Sequence, residues 1–223
     1  RKAIKEDERI KLITKEHGGV SAARNEGINQ ACYDYIAFLD ADDIWVCSYL
    51  EEQKKLIDNF PDAAMWGMNY SLVNKGKHTE LNTGLPGNFR GYITDYFSTK
   101  HASDLFCSSS VVVHKKCFDK IGLFDTRIDY SEDLDMWYRI ILNFPVAFDS
   151  TISVKYIQDT ENRALSKHRP LRRFLPYFVS KYNEYCSVNL EFSYYIHTFA
   201  ASNLIVYYFT SIKEHKDAEV AIK

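Results

Sequence analysis

Apolar and polar positions fall into short blocks along the first half of the chain, and the blocks predict alternating strands and helices. Arg9–Thr14 (RIKLIT) reads as a strand. Val20–Cys32 reads as a helix, with Ser21 as its N-cap and Ala22, Ala23, Ile28 and Ala31 on its apolar face. The apolar run Tyr35–Leu39 predicts a short buried strand. Ser48–Phe60 predicts a helix stopped by Pro61. Ala63–Val73 predicts a further strand, and Asn74-Lys75-Gly76-Lys77 is turn chemistry. This order points to an α/β sheet with parallel strands.

The second half is less regular. Thr83–Gly91 is rich in Gly and Pro and predicts a surface loop, and the Val run in Ser108–His114 predicts a strand. Glu132–Asn143 is amphipathic, with Leu134, Trp137, Ile140 and Ile141 on one side. Val146–Ile157 has room for two short strands, and a polar loop follows over Asp159–Arg169. Two helical segments, Pro170–Cys186 and Leu190–His215, finish the chain. The pattern divides it into an α/β core at 1–158 and a basic loop with a helical appendage at 159–223.

Composition narrows the class. The 223 residues are 46% hydrophobic and 26% charged, which predicts a packed core. The formal charge of -2 lacks the basic surplus of a nucleic-acid binder. Five cysteines with no C-x-x-C pair give neither a zinc ribbon nor a disulfide framework, and fit a reducing compartment. Arg1–Arg9 is mostly charged and has no signal-peptide pattern. Phe192–Ile212 has no Asp, Glu, Lys or Arg, but its hydroxyl and amide side chains predict a helix packed on protein, not one that spans a bilayer.

Chemistry concentrates at Asp40-Ala41-Asp42-Asp43, directly after the apolar run. Ligands of open α/β sheets bind beyond the carboxyl ends of strands. Acids crowded there repel unless a cation sits between them. Two carboxylates one residue apart can share a hard divalent ion that keeps sites for phosphate oxygens. Two enzyme classes use such acids: phosphoryl transfer through an aspartyl nucleophile, here Asp40, and glycosyl transfer from a nucleotide sugar. A solvated turn, with Asp43 capping the next helix, is the third reading.

Longer motifs separate these readings. His17-Gly18-Gly19-Val20-Ser21-Ala22-Ala23-Arg24-Asn25-Glu26-Gly27-Ile28, then Tyr35–Asp43, resemble family 2 glycosyltransferases of the GT-A fold. Ser108–Val113, Gly122-Leu123-Phe124-Asp125 and Glu132–Arg139 match the same family's acceptor-side pattern. The resemblance implies a mixed, Rossmann-like sheet flanked by helices, with C-terminal helices beyond it. The family's first two strands, ending in P-x-Y-N-like and D-D-x-S-x-D motifs, do not precede Arg9. The core is therefore expected to be N-terminally incomplete, and Arg9–Thr14 to lack a neighbour.

The resemblance also implies roles. Asp40 faces ribose and metal, Asp42 is the main metal ligand, and Arg24 lies near the nucleobase. Mg²⁺ or Mn²⁺ is the implied cofactor. Asp133 is the candidate base, with Glu132 and Trp137 on the acceptor side and Ser131 capping their helix. An acceptor hydroxyl must lose a proton, whereas a departing diphosphate needs charge neutralisation and no proton. That division predicts inversion, and Asp135 is expected to face away from the sugar. The implied donor is a UDP-sugar, and the implied acceptor is a glycan or lipid-linked hydroxyl in surface-polysaccharide assembly. The implied setting is cytoplasmic, at the inner face of a membrane. The run Asn162–Ser180 holds Arg163, Lys167, Arg169, Arg172 and Arg173 with no acid, and is a candidate for diphosphate or anionic-lipid contact. A non-catalytic nucleotide- or carbohydrate-binding module is the alternative outside the enzyme class.

Overall fold

The computed structural model describes residues 7–98, 105–128, 131–159 and 177–213, with backbone alone from 203. Its helices are α1 (Gly19–Gln30), α2 (Tyr49–Asn59), α3 (Cys117–Ile121), α4 (Glu132–Ile141), α5 (Asn183–Val188) and α6 (Leu190–Lys213). Its strands are β1 (Tyr35–Ala37), β2 (Ile44–Trp45), β3 (Met65–Asn74), β4 (Lys77–Glu80), β5 (Arg90–Tyr92), β6 (Val111–His114) and β7 (Val146–Ile157). The sheet runs β1-β6-β3-β7-β2, with β4 on β3 and β5 on β7.

Strand direction departs from the all-parallel expectation. Among the described strands only β3 and β7 pair in parallel. The helix between β1 and β3 does not return the chain to a neighbouring position, because antiparallel β6 inserts between them. The sheet is therefore mixed, as the family resemblance implies. β7 is one strand where two were expected. It bulges opposite Met68, Asn69 and Tyr70, and the bulge separates a half paired with β5 from a half paired with β2. The β3–β4 hairpin turns at Lys75 and Gly76 with φ of 49° and 74°, the positive pair a two-residue loop demands.

Residues 10–18 are not a strand. Among the described residues none pairs with Arg9–Thr14 as a ladder, and Leu12 is 61% exposed. Isolated extended backbone has no hydrogen-bonding partner to hold it in a sheet.

One core joins the sheet to the C-terminal helices. Phe178, Tyr182, Phe192 and Ile196 are buried in the same cluster as Trp137, Met65 and Phe148. The described residues after 176 thus pack into the core of the sheet. No helix among the described residues is long and apolar enough to cross a membrane. Within this core the Phe106 ring occupies the space beside Gly67, and a Cβ at 67 would overlap it. Gly67 lies in β3, and the buried Phe106 ring is held against Tyr96 and Phe148, so neither moves aside freely. Gly67→Ala is expected to lose about 1–3 kcal/mol of stability, read from the urea midpoint.

Candidate active site

The acidic turn, the start of α4 and the N-terminal half of α1 meet at one arginine. Arg24 on α1 donates from Nη2 to both carboxylate oxygens of Asp40, at 3.0 and 3.1 Å, and from Nη1 to Glu132 Oε1 at 2.7 Å. Its side chain is only 10% exposed. Burial opposes the charge, but Asp40, Glu132 and Asp133 together outweigh it and raise the guanidinium pKa. Residues 24, 40 and 132 are thus brought together from three separate sequence motifs.

The turn itself is held from behind. Asp43 N–H donates to Asp40 O, and the Asp43 carboxylate is buried. It accepts Ser109 Oγ–H at 2.6 Å and Ile157 N–H at 3.1 Å. Asp43 therefore does not cap α2, contrary to the expectation that it caps the next helix. The N-cap there is Ser48, without a side-chain bond. Burial raises the Asp43 pKa against those two hydrogen bonds. The same Ser109 Oγ accepts the Asp40 N–H at 3.0 Å. Asp42, between them, is exposed.

Asp133 lies at the first turn of α4. Its Oδ1 accepts the Leu134 N–H at 2.9 Å, and its Oδ2 accepts Ser108 Oγ–H at 3.4 Å. Burial, followed by repulsion from Glu132, pushes its carboxyl up to about 6, with Arg24 pulling the other way. Ser131 precedes it in the left-handed region at φ 57° and makes no side-chain cap bond, so the expected hydroxyl cap is absent. Ser21, expected to cap α1, instead lies inside that helix, and Gly18 holds the cap position.

One expectation on α4 is corrected. Trp137 is fully buried and packs edge-on against Phe38 and Phe124, so it offers an acceptor no surface. Asp135 does face away from Asp133, but into the protein. Its carboxylate meets Arg139 at 2.8 Å, Lys181 at 2.7 Å and Tyr182 OH at 2.8 Å. Arg139 also donates to the carbonyls of Ile121 and Leu123 at the end of α3. The basic residues Arg163, Lys167, Arg169, Arg172 and Arg173 lie outside the described residues.

Other supports were not visible in the sequence. Asn25 clamps Phe124 by two backbone bonds, Nδ2 to O at 2.9 Å and Oδ1 from N at 2.8 Å. Asp125 accepts from Arg127, Tyr177 and Lys181, and these donors, Arg127 foremost, hold its carboxyl well below the usual range. The only sequence signal was the motif placement of Asn25 and Asp125.

A family model described as "Glycosyltransferase like family 2" matches residues 4–205. The chain belongs to that family. It is 24% identical over 218 residues to an uncharacterised glycosyltransferase of Rickettsia felis, covering 91% of this chain and 32% of the relative. The chain thus spans about a third of the length of that relative. Over 69 residues, 30% of this chain and 27% of the relative, it is 42% identical to the Escherichia coli UDP-Glc:alpha-D-GlcNAc-diphosphoundecaprenol beta-1,3-glucosyltransferase WfgD. Among solved structures, S. aureus TarS 1-349 in complex with UDP-GlcNAc superposes with a TM-score of 0.61 at 18% identity, over 78% of this chain and 50% of that one. That likeness shows the GT-A fold.

The buried ion pairs of Asp135 give a prediction of their own. Asp135→Asn leaves Arg139 and Lys181 without their buried partner and is expected to lose about 3–5 kcal/mol of stability by chemical denaturation.

Proposed function

We propose that this site transfers a sugar from a nucleotide-diphosphate donor to a hydroxyl acceptor, with inversion and with a divalent cation on the donor side. One observation carries the reading: Arg24 ties Asp40, in the donor-side turn, to Glu132, the neighbour of Asp133. Donor-side acids and a carboxylate of raised pKa thus share one site. Asp133 accepts the acceptor's proton. Its pKa of about 6 leaves it charged at neutral pH while keeping it a stronger base than an ordinary carboxylate.

Asp42 and Asp40 offer the hard oxygen ligands that suit Mg²⁺ or Mn²⁺. Among the described residues no group of three His, Cys, Asp or Glu side chains is placed to hold a metal ion. Mg²⁺ is usually held through one or two carboxylates, with its remaining positions left to water and phosphate. Such an ion would neutralise the diphosphate leaving group. The name of WfgD specifies a UDP-glucose donor and a diphosphoundecaprenol acceptor, and TarS binds UDP-GlcNAc. By likeness to both, we assign this chain a UDP-sugar donor and a glycan or lipid-linked acceptor. Assembly of a surface polysaccharide at the inner membrane face is the setting that matches such an acceptor.

Asp133→Asn is expected to lower transfer by roughly 10²- to 10⁴-fold while leaving donor binding nearly intact. Full activity in that variant would refute the base assignment. The wild-type kcat/KM is expected to rise with pH, tenfold per unit, and level off above about 6.

A second check needs no activity. A carboxyl with a raised folded-state pKa contributes stability that is present below its unfolded pKa and lost as pH rises through its folded one. For Asp133 the loss falls between about 4 and about 6. Asp133→Asn is expected to flatten melting temperature against pH across that window.

Asp42→Ala is expected to abolish Mn²⁺-dependent UDP binding in calorimetry. Unchanged affinity would remove Asp42 from the donor site.

A further inference from the structure

We propose that Ser109 and Asp43 are positioning residues that set the donor-side turn, acting through a single shared hydroxyl. The inference rests on the donor reading above. Ser109 is fully buried, yet its Oγ serves both ends of the turn. It accepts the backbone N–H of Asp40 and donates to the carboxylate of Asp43. The other oxygen of Asp43 accepts the Ile157 N–H at the end of β7. The segment 40–43 is therefore pinned at its first and last residues, and the direction of Asp42 follows from the two pins.

The serine turn is itself immobilised. Trp45 Nε1 donates to Ser109 O at 2.7 Å, and Gln53 Nε2 donates to Ser110 O at 3.2 Å. Ser110 Oγ closes the turn by accepting Cys107 N–H and donating to Cys107 O. On the same turn, Ser108 Oγ reaches Asp133. Three consecutive serines, 108, 109 and 110, thus face the base, the donor acids and the core in that order. Burying a carboxylate is costly for a fold, and an apolar side chain would fill the Asp43 position more cheaply. A buried acid kept beside two exposed or half-exposed ones is the arrangement of a device that aims them.

The test uses the full-length enzyme with UDP as the probe, titrated by calorimetry with and without Mn²⁺, beside a thermal melt of each variant. Ser109→Ala is expected to weaken Mn²⁺-dependent UDP binding by about tenfold or more, the usual effect of losing a hydrogen bond to a charged group. Asp43→Asn keeps the side chain's size and is expected to show a loss of the same order. It carries the test if Ser109→Ala does not fold. The double variant is expected to bind no worse than the weaker single variant, because both changes cut the same link. Ser108→Ala, whose hydroxyl serves Asp133, is expected to leave UDP affinity unchanged. Wild-type affinity in folded Ser109→Ala and Asp43→Asn, with only their melting temperatures lowered, would overturn the inference and leave a purely structural role. Wild-type enzyme that binds UDP equally with and without Mn²⁺ would overturn the donor reading, and this inference with it.

Discussion

The site depends on one buried cation. Asp40, Glu132 and Asp133 come from distant parts of the chain and repel one another wherever they meet. Arg24 lies between Asp40 and Glu132 with little solvent to screen it, and its planar fork satisfies both at hydrogen-bonding distance. A lysine would offer a point charge and could not hold two carboxylates in fixed directions. The Arg24 guanidinium also lies over the Phe124 ring, 5.4 Å from the centroid. The ring fixes the arginine from the apolar side while the acids fix it from the polar side.

Around that arginine the motifs brace each other through the backbone. Asn25, next along α1, clamps Phe124, so the helix that carries Arg24 also sets the position of the Phe124 ring. Asp125 follows, and Lys181 spans Asp125 and Asp135. The C-terminal segment is thereby tied to both acceptor-side motifs. Its buried aromatics Phe178 and Tyr182 continue the core under α4. The appendage expected from sequence packs under α4 through Tyr138 and Asp135.

Much of the fold was legible where pattern and local chemistry agreed. Helices α1, α2 and α4 lie within a few residues of their predicted spans, and the Lys75-Gly76 turn falls where its residue types require. Strand direction was not legible, since β6 reaches its place between β1 and β3 from far along the chain. Arg9–Thr14 has the composition of a strand, but a strand exists only with a partner, which composition does not reveal. In the site, motif resemblance located Arg24, Asp40 and Glu132, and the structure brings these three together. It could not show that Asp43 is buried behind its turn or that Trp137 is core. Both facts depend on what packs against the residue, not on the residue itself.

Asp133 and Asp135 show how far residue identity falls short. They are the same amino acid, two positions apart on one helix, hence roughly 200° apart around its axis. Asp135 turns inward and meets an arginine, a lysine and a tyrosine hydroxyl, which compensate its burial. Asp133 turns toward Glu132 and Asp40, where a weak serine contact and one backbone amide do not offset its desolvation. One acid is therefore satisfied and structural, while the other is held at a cost and stays ready to take a proton. Proteins keep such uncompensated groups where chemistry needs them. The contrast within a single helical turn is a stronger argument for Asp133 than its place in any motif.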